Sequence, residues 1–247
     1  MTDPVSLLII AVAFILGGLV KGVAGLGLPV ITVAVLTFAF GLPNAMALMV
    51  APGLMSNGWQ SIGPHAAAII KRLWMFIIAS LITIWFGTGL LVSVDSSWLV
   101  AFLGFVLTVY ALIGIFGFSI TVPENRETII GPAFGAVCGV TTGMTGVTST
   151  PSVVYLNALG MKREMFIQSM GLYFFISYII LTASLWARGL LDVQVGSLSL
   201  VAVVPTLLGM WFGKMLRMRT SEAGFKKLFY RVLVVIGLYL IVRALFF

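Results

Sequence analysis

The sequence predicts an all-α, polytopic membrane protein built as two inverted five-segment repeats, and three observations predict it. Of 247 residues, 61% are hydrophobic and 9% charged, against about 45–50% apolar and about 25% charged in soluble domains. Apolar runs are separated only by short polar links, and several reach the roughly 20 residues a helix needs to cross about 30 Å of hydrocarbon. The rhythm of the first five runs then returns in the next five.

Taken in order, the first run is Val5 to Val20; the preceding Met1-Thr2-Asp3-Pro4 lacks the basic start of a secretory signal, so this run reads as a retained helix. Leu28 to Phe40 follows a glycine-rich stretch and would span only about 20 Å at 1.5 Å per residue. Asn44 to Ile62, Leu73 to Val92 and Trp98 to Phe118 complete the first repeat, residues 1–118. After a cytoplasmic linker at 119–128, the second repeat, 129–247, holds Ile129 to Val147, the short Thr150 to Leu159, Met165 to Ala187, Val195 to Leu216 and Leu228 to Phe247.

Residue matches support duplication. Gly18-Leu-Val-Lys-Gly22-Val23 aligns with Gly135-Ala-Val-Cys-Gly139-Val140 at a spacing of 117 residues, and Trp85-Phe86-Gly87 with Trp211-Phe212-Gly213 at 126. Lysine and arginine favour the cytoplasmic side. If all ten segments cross and the N-terminus is outside, Lys21, Lys71, Arg72, Arg126, Lys162, Arg163, Lys214, Arg217, Arg219, Lys226 and Lys227 lie inside, against Arg188 and Arg243 outside, a tally of 11 to 2. If the short segments do not cross, no orientation places both Lys71-Arg72 and the Arg217 to Lys227 cluster inside. Five crossings per half invert the second half relative to the first, the plan of many secondary transporters, and leave both termini outside.

The net charge of +7 resides in these links rather than along one solvated face, which argues against a nucleic-acid partner. A lone Cys138 and a lone His65 leave no disulfide and no Cys/His metal cluster, and both read as structural. No His, Cys or carboxylate cluster falls on the expected interior, so no enzyme, metal or cofactor is expected. All seven acidic residues, Asp3, Asp95, Glu124, Glu127, Glu164, Asp192 and Glu222, lie near segment ends, which leaves no obvious proton relay inside.

The most informative stretches are Gly17-Gly18-Leu-Val-Lys21-Gly22-Val-Ala-Gly25-Leu-Gly27-Leu-Pro29 and Gly139-Val-Thr141-Thr142-Gly143-Met-Thr145-Gly146-Val-Thr148-Ser149-Thr150-Pro151. Irregular backbone at membrane depth is tolerated only where protein buries it or a wet cavity meets it, so two such breaks at matching positions mark a site. Exposed N–H groups at two helix starts favour an anion, with hydroxyls as neutral donors and Lys21 as a charge. Four-residue glycine spacing also serves close helix packing. The expected substrate residues are Gly25, Gly27, Thr145, Gly146, Thr148 and Ser149 as donors, with Lys21, Asn57, Gln60 and Gln168 around the cavity. Ser56, Asn57, Gln60 and Ser61 share one helical face. Aligning Gly41 with Gly160 sets Ile176 and Ile179 opposite Asn57 and Gln60, so the site is expected to be asymmetric.

On the paired glycine-rich motifs at Gly18 to Pro29 and Gly135 to Pro151, the short helices after them, Asn57-Gly-Trp-Gln60 and the closing Gly237-Leu-Tyr-Leu240, the chain resembles the sulfite exporter TauE/SafE family, also called the toluene sulfonate uptake permease family. The resemblance covers nearly the whole length. It implies a secondary transporter in the bacterial inner membrane whose substrate is sulfite, a sulfonate such as sulfoacetate, or another small sulfur-containing anion. The chain departs from the family in reading Ala24-Gly25-Leu26-Gly27 where uninterrupted glycines are frequent, and in its threonine-rich second motif. A passive anion channel and a carrier of a non-sulfur carboxylate remain the alternatives. The expected partners are the small anion and the lipid bilayer, and inverted halves are compatible with a homodimer.

Overall fold

A computed structural model describes residues 1–117, 120–218 and 222–246; the segment ends at Phe118 and Phe247, and the inner-side Arg219, lie outside the described residues. Its elements are α1 (Pro4–Ala24), α2 (Leu28–Phe40), α3 (Leu42–Leu48), α4 (Val50–Ser61), α5 (Ala66–Ser93), α6 (Ser96–Phe116), a 3-10 turn at Glu124–Arg126, α7 (Glu127–Thr145), α8 (Thr150–Ala158), α9 (Arg163–Ala187), α10 (Val193–Val201), α11 (Val203–Arg217) and α12 (Glu222–Phe246). Among the described residues, seven helical stretches are long and apolar enough to cross a membrane. The chain is a multi-pass membrane protein.

Local chemistry sets the helix ends. Asp3, Asp95 and Asp192 each accept a backbone N–H in the first turn of α1, α6 and α10, so three of the seven acidic residues serve as caps. The hydrogen bonds from Ser6 hold the Asp3 carboxyl below its ordinary pKa. Gly25 and Gly146 end α1 and α7 at φ 78° and 70°, in the left-handed region that a side chain disfavours.

Two expected segments are interrupted. Asn44 to Ile62 divides at Met49 into α3 and α4, and Val195 to Leu216 divides at Ala202 into α10 and α11. Each interruption precedes a proline in the next first turn, Pro52 and Pro205. Proline lacks the N–H that would bond the carbonyl four residues back. At the first break, Ser199 of α10 donates to the freed Leu48 carbonyl (2.8 Å), and its oxygen accepts the Ala51 N–H (2.9 Å). Ser199, three residues before the second interruption, thus satisfies the first inside the bundle.

Packing pairs the helices as α1 with α11, α5 with α7, α4 with α9 and α6 with α12. The first two pairs are one parallel interface built twice. A side chain on Gly18 would meet Thr206 and Gly209, and one on Gly22 would meet Met210, Gly213 and Lys214; correspondingly, Gly139 faces Ser80 and Thr83, and Gly143 faces Ile84, Gly87 and Thr88. Backbones approach closely because no Cβ intervenes. The match of Trp85-Phe86-Gly87 to Trp211-Phe212-Gly213 stands in three dimensions. The partner match moves by one turn: Gly18 corresponds to Gly139 and Gly22 to Gly143, a spacing of 121 rather than 117 residues. Glycines repeating every four residues make such a match degenerate by one helical turn, and the helix ends at Gly25 and Gly146 settle it.

The other two pairs run antiparallel. Gly171 meets Gln60 while Gly53 meets Tyr178, and Gly104 meets Gly237 while Gly114 meets Tyr230. These pairings bring the ends of α1, α4 and α11 and the starts of α9 and α12 to one end of the bundle. The same end carries an ion pair from Arg72 to Glu127 (Nε 2.9 Å, Nη2 2.5 Å), with Nη2 also donating to the Leu159 carbonyl at 3.1 Å. Large apolar side chains on the outer faces stay exposed, among them Ile82, Phe86, Phe105, Leu208 and Val235, as a lipid-facing surface requires.

Candidate functional site

Lys21 lies one turn before the end of α1 and is 6% exposed. Its ammonium donates to Ser56 Oγ at 3.1 Å and Asn57 Oδ1 at 2.5 Å, both on α4. Among the described residues no carboxylate lies within ion-pair reach of it. Two neutral oxygens leave a third donor position open and bring no opposite charge from the described residues. An ammonium withdrawn from water costs several kcal/mol unless an opposite charge joins it.

That charge borders a cavity of about 360 Å³ at the basic end of the bundle, lined by Lys21, Gly25, Ser56, Trp59, Gln60, Arg163, Met170, Arg217 and Lys226, among others. The volume is that of a small-ligand site. Gly25 reaches the cavity because α1 stops there; its carbonyl accepts from Gln60 Nε2 at 3.5 Å, and the same amide donates to the Ile167 carbonyl of α9 at 3.3 Å. With cations on its walls and no carboxylate among its described lining residues, the cavity suits an anion better than a cation.

The second glycine break is built on the same plan with different chemistry. Gly146 presents its carbonyl to Tyr178 Oη at 3.2 Å, as Gly25 does to Gln60. Because Gly171 packs on Gln60 and Gly53 on the Tyr178 ring, Gln60 corresponds to Tyr178, and Asn57 to Phe175. The alignment through Gly41 and Gly160 is therefore one residue out of register, and Ile176 and Ile179 are not the counterparts. Lys21 corresponds to Thr142, since each carbonyl accepts the N–H of the closing glycine. The lysine at the first break thus has an uncharged counterpart, Thr142, at the second.

The expected residues fall into three groups. Lys21, Gly25 and Gln60 line the basic cavity, and Asn57 holds Lys21 from behind. Thr145, Gly146, Thr148 and Ser149 gather at the second break, outside that lining. Of these, the Thr145 hydroxyl is engaged by backbone, donating to the Thr141 carbonyl (2.7 Å) and accepting from the Val147 N–H (3.2 Å). The Thr148 and Ser149 hydroxyls, with that of Thr150, are buried with no hydrogen-bond partner among the described residues, a cost of about 1–3 kcal/mol for each unsatisfied group. Gln168 and Gly27 serve elsewhere. Gln168 braces the α4–α5 turn, accepting from the His65 N–H and donating to the Ser61 carbonyl, both at 3.0 Å. Gly27 starts α2 at φ 97° and faces Val20 and Phe229.

Sequence reasoning missed Arg163, Arg217, Lys226 and Trp59 as cavity residues. The three cations were read as orientation signals; that they converge requires knowing that α1, α4, α9, α11 and α12 meet at one end. Tyr178 carried a usable signal, lying with Tyr173 and Ser177 in a polar set on an otherwise apolar segment.

In comparison with known proteins, a family model described as "Sulfite exporter TauE/SafE" matches residues 9–240. No curated protein and no solved structure matches the chain.

Proposed function

The chain belongs to the sulfite exporter TauE/SafE family, and from that premise we propose that it is a secondary transporter of a small sulfur-containing organic anion, a sulfonate such as sulfoacetate or sulfite itself. Membership makes it a membrane transporter of sulfite or related anions. The observation that carries the finer reading is Lys21, a buried cation that lacks a carboxylate partner among the described residues and borders a cavity of ligand size.

The anionic head group completes the charge on Lys21, taking its third donor. Gln60 and Ser56 set the cavity's polar edge, while Trp59 and Met170 offer an apolar wall suited to the carbon of a sulfonate. Arg163, Arg217 and Lys226 raise the local anion concentration and guide the substrate inward. The basic end faces the cytoplasm of a bacterial inner membrane, with both termini outside, as the charge bias favours. The halves are inverted repeats, a reading supported by the doubled α1–α11 and α5–α7 interface and the antiparallel α4–α9 and α6–α12 pairs. Rocking of one half against the other about the site between them then gives alternating access.

Uptake by proteoliposomes of labelled sulfoacetate, other sulfonates, sulfite and carboxylates tests this. Saturable, counterflow-capable uptake of one of the sulfur anions is expected, with carboxylates at least about tenfold slower by kcat/KM. Non-saturating flux without counterflow would instead identify a channel, and no uptake of any of them would remove the anion assignment.

A further inference from the structure

Thr148, Ser149 and Thr150 are 0%, 1% and 5% exposed, and none of their hydroxyls has a partner among the described residues. Five other buried threonines, Thr37, Thr88, Thr141, Thr145 and Thr206, donate to the carbonyl four residues back, Thr32 donates to the Ala13 carbonyl, and Thr142, an isolated hydroxyl within α7, shares the lack of a partner among the described residues. The three consecutive hydroxyls stand ahead of, or at, the first residue of α8, where no carbonyl of the same helix lies four residues back. They are therefore donors and acceptors held dry at the positive end of a helix.

None of the three borders the basic cavity. At the same break, Tyr178 Oη of α9 donates to the Gly146 carbonyl, and Met46 lies against Gly146. In the other half, Gln60 makes the corresponding bond to Gly25 beside an open cavity. We propose that Thr148, Ser149 and Thr150 form a second, uncharged station for the substrate's oxyanion head, closed in this structure and occupied when the protein opens at the opposite end. This rests on the reading of the protein as an anion transporter and divides its site in two. Helix-start donors and hydroxyls suit sulfur–oxygen groups, and the absence of a cation among the three lets the anion leave.

The test combines Thr148→Val, Ser149→Ala and Thr150→Val, which remove hydroxyls at nearly constant shape, and compares them with Lys21→Gln. Sulfite is the probe, read as equilibrium binding to purified protein and as counterflow in proteoliposomes. The triple variant should bind sulfite within about threefold of the parent, lose at least about tenfold in counterflow, and melt at a higher temperature because unsatisfied hydroxyls are gone. Thr148→Ser with Thr150→Ser should keep counterflow. Counterflow unchanged in the triple variant overturns the station, as does a lower melting temperature, which would reveal partners for the hydroxyls. Loss of binding as deep as that of Lys21→Gln overturns the division into two. Normal binding by Lys21→Gln would count against the Lys21 cavity alone, leaving the hydroxyl station to be judged by its own counterflow.

Discussion

Lys21 is where charge, burial and location conflict most. Membrane interiors disfavour an unpaired ammonium, and Ser56 and Asn57 supply only neutral oxygens. In the proposed site such a residue lowers stability while it serves binding. Lys21→Met should therefore raise the thermal midpoint of the ligand-free protein, by about 1–4 kcal/mol on the scale of buried ion replacements, while eliminating sulfite binding. A lower midpoint would mean that Lys21 is a structural tie between α1 and α4. Tyr178→Phe should cost about 1 kcal/mol, because it leaves the Gly146 carbonyl unpaired; denaturation by heat checks it. The sequence made Lys21, Gly25, Asn57 and Gln60 readable as one set beside a cavity, since polar groups in apolar helices need a reason. It could not separate Gln168 from them, because an amide that braces a turn and one that lines a cavity look alike until partners are known.

Helices were legible where length and glycine decide their limits. The second segment, Leu28–Phe40, has the limits expected, with Gly27 and Gly41 bounding it, and Thr150 starts the seventh as expected. The breaks at Met49 and Ala202 were missed although Pro52 and Pro205 announce them, because the apolar runs continue through. Ser199 makes the first break affordable by taking the Leu48 carbonyl. Ser199→Ala should destabilise by about 1–3 kcal/mol, and by less in a Pro52→Ala background, where residue 52 regains an N–H for that carbonyl. Additive losses in the double-mutant cycle would contradict the account. At the paired interfaces, Gly22→Val and Gly143→Val should be similarly damaging, each by at least about 1–3 kcal/mol, because each side chain would meet equivalent backbone atoms of α11 and α5.

At the scale of the molecule, the two halves differ at their glycine breaks in chemistry, a lysine and a glutamine at one and threonines and a tyrosine at the other, and in where their helices are interrupted. The antiparallel α4–α9 and α6–α12 pairs fit a pseudo-two-fold axis lying in the membrane plane. Counting lysines and arginines leads independently to the same inverted proposal, because charge bias depends on the links and not on packing. The one-turn error in pairing Gly18 with Gly135 arose because packing glycines recur every four residues, a period that sequence alone cannot phase. In a Cys138→Ala background, Thr2→Cys and Gln194→Cys should react with an impermeant maleimide from outside intact cells, and Lys71→Cys and Lys162→Cys should not. Labelling of both sets from one side would contradict the inverted arrangement.

The central claim is that a sulfur oxyanion completes the charge on Lys21 in the basic cavity. The most direct measurement is the melting temperature of the purified protein against a series of sulfite, sulfoacetate, sulfate and acetate, with Lys21→Gln as control. A ligand that binds the folded state at about 100 times its Kd adds about 2.7 kcal/mol, or roughly 2–4 °C for each kcal/mol in a chain of this size. Sulfite or sulfoacetate should raise the midpoint by that much in the parent and leave Lys21→Gln unmoved. Equal shifts in both proteins, or shifts that follow ionic strength regardless of the anion, would contradict it.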